Sequence, residues 1–153
     1  MNITITGVFE ALNLVTQKPN HYRVISIASK KSVTRLMIED MKHAKDLLIL
    51  EFDDASANES SEYDVASPQQ CKQALDFLSK GGDCIIHCHA GVSRSTGLAL
   101  GYLLTLFDHH RAVDRLFELR PCAQPNKHVI KIMCDLLHKQ ELYPLIIDYI
   151  SQK

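Results

Sequence analysis

Residues 83–107 read DCIIHCHAGVSRSTGLALGYLLTLF, and they contain two contiguous apolar segments joined by a short polar loop. Residues 83–87 form a short apolar run, which is typical of a β-strand buried on both faces. From Ser95 to Phe107 the side chains are apolar nearly all round a helical period, which predicts a helix running through the core. The sequence therefore predicts a buried strand, a tight loop and a buried helix in direct succession.

Strands and helices alternate on both sides of this stretch. Ser67, Pro68 and Gln70 carry the signature of a capped helix N-terminus, because serine accepts from the backbone and glutamine reaches back in a capping box. The next apolar positions follow the i, i+3, i+4, i+7 spacing of a helix. The predicted strands cover 2–7, 22–28, 47–52 and 83–87; the predicted helices cover 8–17, 33–45, 68–80, 95–107, 112–117, 129–137 and 143–150.

This order of elements indicates an α/β fold with a small, largely parallel central sheet flanked by helices. Residues 53–66 are polar and acidic, and they are expected to form a long loop. We expect one domain over residues 1–153, since this length is typical of a single domain. In open α/β sheets the functional site lies at the carboxyl ends of the strands.

Composition excludes several classes of protein. The net charge is −1, which argues against nucleic-acid or membrane-surface binding, because those need a basic excess. The first four residues lack the basic and apolar regions of a signal peptide, and the longest apolar run is too short to span a bilayer. The five cysteines include no CxxC pair. We expect a cytoplasmic monomer that binds neither nucleic acid nor membrane.

The loop between the strand and the buried helix carries the chemistry. A loop that closes onto a helix N-terminus points backbone N–H groups inward and binds anions. The same field favours the thiolate of Cys88, whose pKa should be depressed. Arg94, at the first turn of the helix, offers a planar fork that matches two phosphate oxygens. Gly91 permits a strained turn, and Ser95 can donate a hydrogen bond to the sulfur. These residues predict a nucleophile for phosphoryl transfer.

The motif HCHAGVSRS at residues 87–95 resembles the signature of the cysteine-dependent protein tyrosine phosphatases, and it is most similar to the dual-specificity branch. LLILEFDD at residues 47–54 resembles the strand and acid loop of that branch. RPCAQPN at residues 120–126 resembles an element common in its compact bacterial members. The resemblance spans residues 22–138, which is most of the chain.

The resemblance implies a protein tyrosine phosphatase-like fold, a catalytic set and a mechanism without metal or cofactor. Cys88 would attack phosphorus and form a phosphocysteine, with Ser95 assisting the sulfur as it leaves. His87 would orient the loop and help to lower the thiol pKa. The phosphate would be bound by the side chain of Arg94 and by the backbone of His89, Ala90, Gly91, Val92, Ser93 and Arg94.

The resemblance also implies an aspartic acid that protonates the leaving oxygen. In the family this residue follows a strand and lies roughly thirty residues before the cysteine. Asp54 lies 34 residues before Cys88 and fits best, while Asp53 and Asp64 remain alternatives.

The substrate class follows from residues that the loop lacks. Phosphoinositide phosphatases of this superfamily carry basic residues within the loop, whereas residues 89–93 contain no lysine. We therefore expect a phosphorylated protein as the substrate, with hydrolysis of phosphotyrosine. Hydrolysis of phosphoserine and phosphothreonine stays an open alternative. The alternatives are a phosphatase of a non-protein phosphoester and a phosphate-binding module without catalysis.

Three further residues have open roles. Cys84 is expected in the core, with a protective disulfide to Cys88 as the alternative. Asn126 is expected to be structural, with bonds to backbone near the loop. His89 is expected to be a solvated loop residue, with tuning of the pocket as the alternative.

Overall fold

Four parallel strands form the centre of the molecule in the computed structural model, which describes residues 2–153. The strands are β1 (Asn2–Thr6), β2 (Arg23–Ala28), β3 (Asp46–Glu51) and β4 (Asp83–His87). Their order across the sheet is β1-β4-β2-β3, and every neighbouring pair is parallel. Strand β4 is therefore hydrogen-bonded on both edges. The predicted α/β fold with a small parallel sheet is confirmed.

Helices cover both faces of this sheet. They are α1 (Val8–Gln17), α2 (Val33–Met37), α3 (Pro68–Ser79), α4 (Arg94–Leu106), α5 (His109–Leu119), α6 (Lys127–Leu136) and α7 (Tyr143–Ser151). Helix α4 lies at the centre of the layer formed by α3 to α7, and its residues from Ser95 to Leu104 are all buried. The prediction of a helix buried nearly all round is confirmed.

The start of α3 contains both hydrogen bonds of the predicted capping box. Ser67 Oγ accepts a hydrogen bond from the Gln70 N–H at 3.2 Å, and the Ser67 N–H donates to Gln70 Oε1 at 3.1 Å. The Gln70 amide also donates to the backbone oxygen of Glu51 at 2.9 Å. The cap therefore satisfies free N–H groups of the helix and fixes its start to the end of β3.

The predicted helix over residues 33–45 is wrong beyond Met37. There the chain tightens into a 3-10 turn, Ile38–Asp40, and no further helix follows before β3. This change buries Ile38 and Met41, whereas Leu36 is 69% exposed. The tighter turn therefore places Ile38 and Met41 against the sheet, which a continuous helix over residues 33–45 would not need.

Two apolar clusters lie on opposite faces of the sheet, because successive strand residues point to opposite sides. Ile85 of β4 packs with Ala11 and Val15 of α1, and its neighbour Ile86 packs with the cluster around α4. Because helices cover both faces of the sheet, the carboxyl ends of the strands are the part of the sheet that can form a site. Across residues 2–153, no helix combines the length and apolar character needed to cross a bilayer.

Candidate active site

Residues 88–93 form a loop from β4 to α4 that encloses a cleft of about 290 Å³. The backbone at Gly91 has a φ of +71°, and a Cβ there would lie 2.5 Å from the carbonyl oxygen of Thr6. Glycine meets both constraints, since it tolerates positive φ and has no Cβ. The Val8 N–H donates to the His89 carbonyl at 3.0 Å. The start of α1 therefore holds the loop from outside.

The cleft gathers most residues that the sequence assigned to catalysis and phosphate binding. Its lining consists of Asp54, Cys88, His89, Ala90, Val92, Ser93, Arg94 and Gln124. Gly91, Ser95 and His87 lie behind that lining. The first two contact the Cys88 sulfur, and His87 contacts the Cys88 backbone.

The Cys88 thiol is nearly buried, at 3% exposure, and is surrounded by hydrogen-bond donors. Ser95 Oγ lies 3.3 Å from Cys88 Sγ, and the Gly91 N–H donates to the same sulfur at 3.3 Å. Burial alone would raise the pKa of this thiol. The hydrogen bonds from Ser95, the charge of Arg94 and the Gly91 N–H outweigh burial and lower the pKa below its ordinary value. The arrangement can hold a reactive thiolate.

The Arg94 side chain is held at the edge of the cleft by the ends of two strands. Its Nη1 donates to the carbonyl oxygen of Phe52 at 3.1 Å and to Ser29 Oγ at 3.3 Å. Phe52 follows β3 and Ser29 follows β2. A guanidinium has five N–H donors, so these two contacts leave others for the oxygens of an anion.

The three candidate acids have different surroundings. Asp54 lines the cleft with Cys88 and Arg94, and its Oδ1 accepts a hydrogen bond from Ser93 Oγ at 2.7 Å. Asp53 Oδ2 instead accepts the Asp64 N–H at 2.8 Å. Among these three candidates, Asp54 alone belongs to the lining of the cleft, so the geometry favours Asp54 as a proton donor there.

The Asp53 carboxylate is stabilised in its charged form. A hydrogen bond from Ser29, followed by the backbone bond from Asp64, lowers the pKa of Asp53. Ser29 also accepts from Arg94. Asp53 is therefore linked to the arginine through Ser29, and its lowered pKa makes it a weaker proton donor.

Asn126 makes more contacts than the expected structural role requires. Its Oδ1 caps α6 by accepting the Val129 N–H at 3.0 Å. Its Nδ2 donates to Asp54 Oδ1 at 2.8 Å and to the Ala55 carbonyl at 3.3 Å. The same side chain thus fixes a helix start and orients the candidate acid.

Arg120 holds the loop from outside the cleft, a role that the sequence did not predict. Its Nε donates to the Gly91 carbonyl at 3.0 Å, and its Nη2 donates to the Ala90 carbonyl at 3.1 Å. These bonds hold the outward-facing carbonyls of the loop, so that the N–H groups can point inward. The RPCAQPN element was the available signal, but its arginine had no assigned role.

His87 is fully buried and holds the backbone of the nucleophile. Its Nδ1 lies 3.1 Å from the Cys88 carbonyl, which can only accept, so Nδ1 carries the proton. Its Nε2 lies 2.6 Å from Ser26 Oγ. Burial lowers the pKa of His87 to about 4, so the ring is neutral at pH 7. Its action on Cys88 is therefore through orientation, without a positive charge to stabilise the thiolate.

Protein stability should fall as the pH falls from 6.5 to about 4, because the unfolded chain protonates His87 before the folded chain does. The difference between these pKa values corresponds to about 3 kcal/mol of unfolding free energy. Chemical denaturation of the natural protein and of His87→Gln across this window measures it. The stability advantage of the natural protein should shrink as the pH falls, and an advantage independent of pH would contradict the assignment.

His89 is exposed at the start of the loop and bonds to a neighbouring helix. Its Nδ1 lies 2.7 Å from Thr34 Oγ1, in α2. The ring is therefore anchored on one side, and it lines the cleft that contains Cys88. This placement differs from that of a freely solvated loop histidine.

The protective disulfide considered for Cys84 does not fit the structure. Cys84 and Cys88 are four residues apart along β4 and its continuation, a distance of about 13 Å in an extended chain. A disulfide requires Cα atoms within about 7 Å of each other. The Cys84 sulfur is buried and lies 3.8 Å from Arg23 Nη1 and 3.7 Å from the Gly81 carbonyl. Cys84 is a core residue.

Comparison with known proteins defines the class to which this fold and cleft belong. The family model for the dual specificity phosphatase catalytic domain matches residues 2–139. The chain therefore belongs to the dual specificity phosphatase catalytic domain family.

Individual relatives agree with this assignment. Dual specificity protein phosphatase 22 of Xenopus laevis is 31% identical over 137 residues, which cover 82% of this chain and 59% of that protein. A probable dual specificity protein phosphatase of Dictyostelium discoideum is 37% identical over 71 residues, covering 44% of this chain and 34% of that protein. The chain thus spans from about a third to about three fifths of these two relatives.

A solved structure with low sequence identity shows the same fold. The Cydia pomonella PTP-2 phosphatase matches with a TM-score of 0.65 and 21% identity, covering 87% of this chain and 84% of that chain. The fold is therefore that of the protein tyrosine phosphatases, as the motif implied.

Proposed function

We propose that residues 1–153 form one catalytic domain that hydrolyses phosphotyrosine in proteins through a phosphocysteine intermediate, and that phosphoserine and phosphothreonine can also enter its cleft. The main support for this proposal is the arrangement of the groups around Cys88. Its sulfur lies 3.3 Å from both Ser95 Oγ and the Gly91 nitrogen, in a cleft that also contains Arg94 and Asp54.

In the first step the Cys88 thiolate attacks phosphorus, a P–S bond forms and the P–O bond to the substrate breaks. The protonated Asp54 gives its proton to the leaving oxygen, which departs as a neutral hydroxyl. The loop N–H groups and Arg94 bind the equatorial oxygens, where negative charge accumulates. No metal or cofactor is needed, because the sulfur supplies the nucleophile.

In the second step Asp54, now a carboxylate, takes a proton from water while the water oxygen attacks phosphorus. The P–S bond breaks, inorganic phosphate forms and the thiolate returns. The hydrogen bond from Ser95 stabilises the sulfur as it leaves. Asp54 finishes protonated and is ready for the next substrate.

Ser93 and Asn126 act in this scheme as positioning residues for Asp54. Both donate to the same oxygen, Oδ1, at 2.7 Å and 2.8 Å. These bonds leave Oδ2 to carry the proton toward the leaving group. Two donors from separate parts of the chain thus hold the Asp54 carboxyl in one orientation.

A phosphorylated protein is favoured over a phosphoinositide because the lining of the cleft contains one cation, Arg94, and one carboxyl, Asp54. A headgroup with several phosphates would need further cations around the loop. We propose a cytoplasmic monomer as the working form, with a phosphoprotein as its partner.

A panel of substrates with EDTA present tests the proposed function. Phosphotyrosyl peptides should be hydrolysed at a rate that the chelator does not change. A phosphoinositide in mixed micelles should be hydrolysed at least about tenfold more slowly in kcat/KM. Faster hydrolysis of the lipid would show that the substrate is a non-protein phosphoester. Phosphate binding without turnover of any ester would show that the chain is a phosphate-binding module without catalysis.

A further inference from the structure

A second cleft, of about 650 Å³, opens beside the catalytic cleft. The two clefts share Asp54, Ser93 and Gln124 in their linings, so they are continuous. The second cleft is larger than the catalytic one, and apart from Asn126, which orients Asp54, the two-step reaction uses none of its remaining residues. A substrate whose phosphate is bound at Cys88 would extend across it.

The floor of this second cleft is largely apolar and is built from three separate parts of the chain. Side chains from α5, from the segment before α6 and from α7 meet there: Phe117, Pro121, Ala123, Pro125 and Ile150. Such a surface gains free energy when an apolar side chain covers it.

The charges around the second cleft do not suit a further phosphate. Glu59 lies in the lining, and hydrogen bonds from the Ser56 N–H and hydroxyl lower its pKa, so it is charged at neutral pH. Of the two lysines in the lining, Lys153 pairs with Asp114, while Lys127 has no ion-pair partner among residues 2–153. The single available cation is thus offset by Glu59, and Asp54 adds a second carboxyl group to the lining. The cleft therefore favours an uncharged group over a further phosphate.

We propose that the second cleft is a specificity subsite that binds an apolar side chain of the substrate protein, one or two residues from the phosphorylated side chain. This inference rests on the proposed function. Each residue of an extended peptide advances about 3.3 Å, so a neighbouring side chain can enter a cleft that is continuous with the catalytic one. A small aryl phosphate cannot reach it.

Phosphotyrosyl peptides that carry leucine or alanine at each flanking position test the subsite. At one position leucine should raise kcat/KM about tenfold over alanine, because the side chain leaves water for an apolar surface. Cys122, exposed and in the lining, is the residue to change. Cys122→Asp should remove the leucine preference and leave nitrophenyl phosphate turnover unchanged.

Two matched variants complete the test. Cys122→Leu should keep the preference, because it removes the thiol without adding charge. Leu145→Asp, at a residue that is 52% exposed on α7 but outside the lining, should leave the preference intact.

The outcomes separate the subsite from the proposed function. Active enzyme with no leucine preference, or a preference that Cys122→Asp leaves intact, would overturn the subsite while the phosphatase reaction stands. A gain from longer acyl chains on a phosphoinositide, lost in Cys122→Asp, would also overturn it in favour of a lipid. No turnover of nitrophenyl phosphate by the natural protein would instead refute the proposed function.

Discussion

Cys88→Ser protein should release no measurable phosphate from phosphotyrosyl peptide, a loss of at least about 10⁴-fold in kcat. The serine hydroxyl is not ionised at neutral pH, whereas hydrogen bonds and Arg94 lower the pKa of the natural thiol. The loop N–H groups and Arg94 remain in place, so the variant should still bind phosphate or vanadate. Phosphate release and calorimetric titration measure the two effects.

Arg94→Ala is the matched variant, because it removes the anion clamp and leaves the nucleophile. It should lose about 10³-fold in kcat/KM and should bind oxyanions more weakly than Cys88→Ser does. Substantial turnover by Cys88→Ser would refute sulfur as the nucleophile. Equal oxyanion affinity in both variants would refute the assigned role of Arg94.

Asp54→Asn should lower the rate on phosphotyrosyl peptide by about 10²–10⁴-fold, the usual contribution of a positioned acid. The loss on nitrophenyl phosphate should be smaller, because that leaving group departs without a proton. Rates on the two esters, measured side by side for the natural protein and the variant, give this dependence on the leaving group.

Asp53→Asn is the control for this prediction. Asp53 bonds to the Asp64 N–H and, through Ser29, to Arg94, so its replacement should cause a small loss that is equal for both esters. If Asp53→Asn shows the large loss that depends on the leaving group and Asp54→Asn does not, the proton donor is Asp53 and not Asp54. If neither does, Asp64 is the next residue to test.

Sequence alone predicted the elements whose signals are local. The apolar run of β4, the glycine-containing loop and the apolar helix α4 are contiguous, so their order and burial could be read directly. The capping box of Ser67 and Gln70 is equally local, and the structure contains both of its hydrogen bonds. Arg94 lies in the first turn of α4, as predicted, although the helix begins at Arg94 and not at Ser95.

Contacts between distant segments could not be predicted in this way. Asn126 reaches Asp54 across 72 residues, and Arg120 reaches the Gly91 carbonyl across 29 residues. Neither contact has a periodic signal in the sequence. The early end of α2 had a different cause, since burial of Ile38 and Met41 against the sheet outweighed the apolar pattern that suggested a longer helix.

Detection of a phosphocysteine is the sharpest test that the Cys88 sulfur is the nucleophile. The protein would be mixed with phosphotyrosyl peptide carrying labelled phosphate, quenched within one turnover, digested and analysed by mass spectrometry. Asp54→Asn should raise the yield of the intermediate on nitrophenyl phosphate, because hydrolysis of the P–S bond loses its base while formation is less affected. In the natural protein we predict that the labelled phosphate is bound to the sulfur of Cys88. Phosphate release at full rate with no labelled Cys88, or with the label on another residue, would contradict the mechanism.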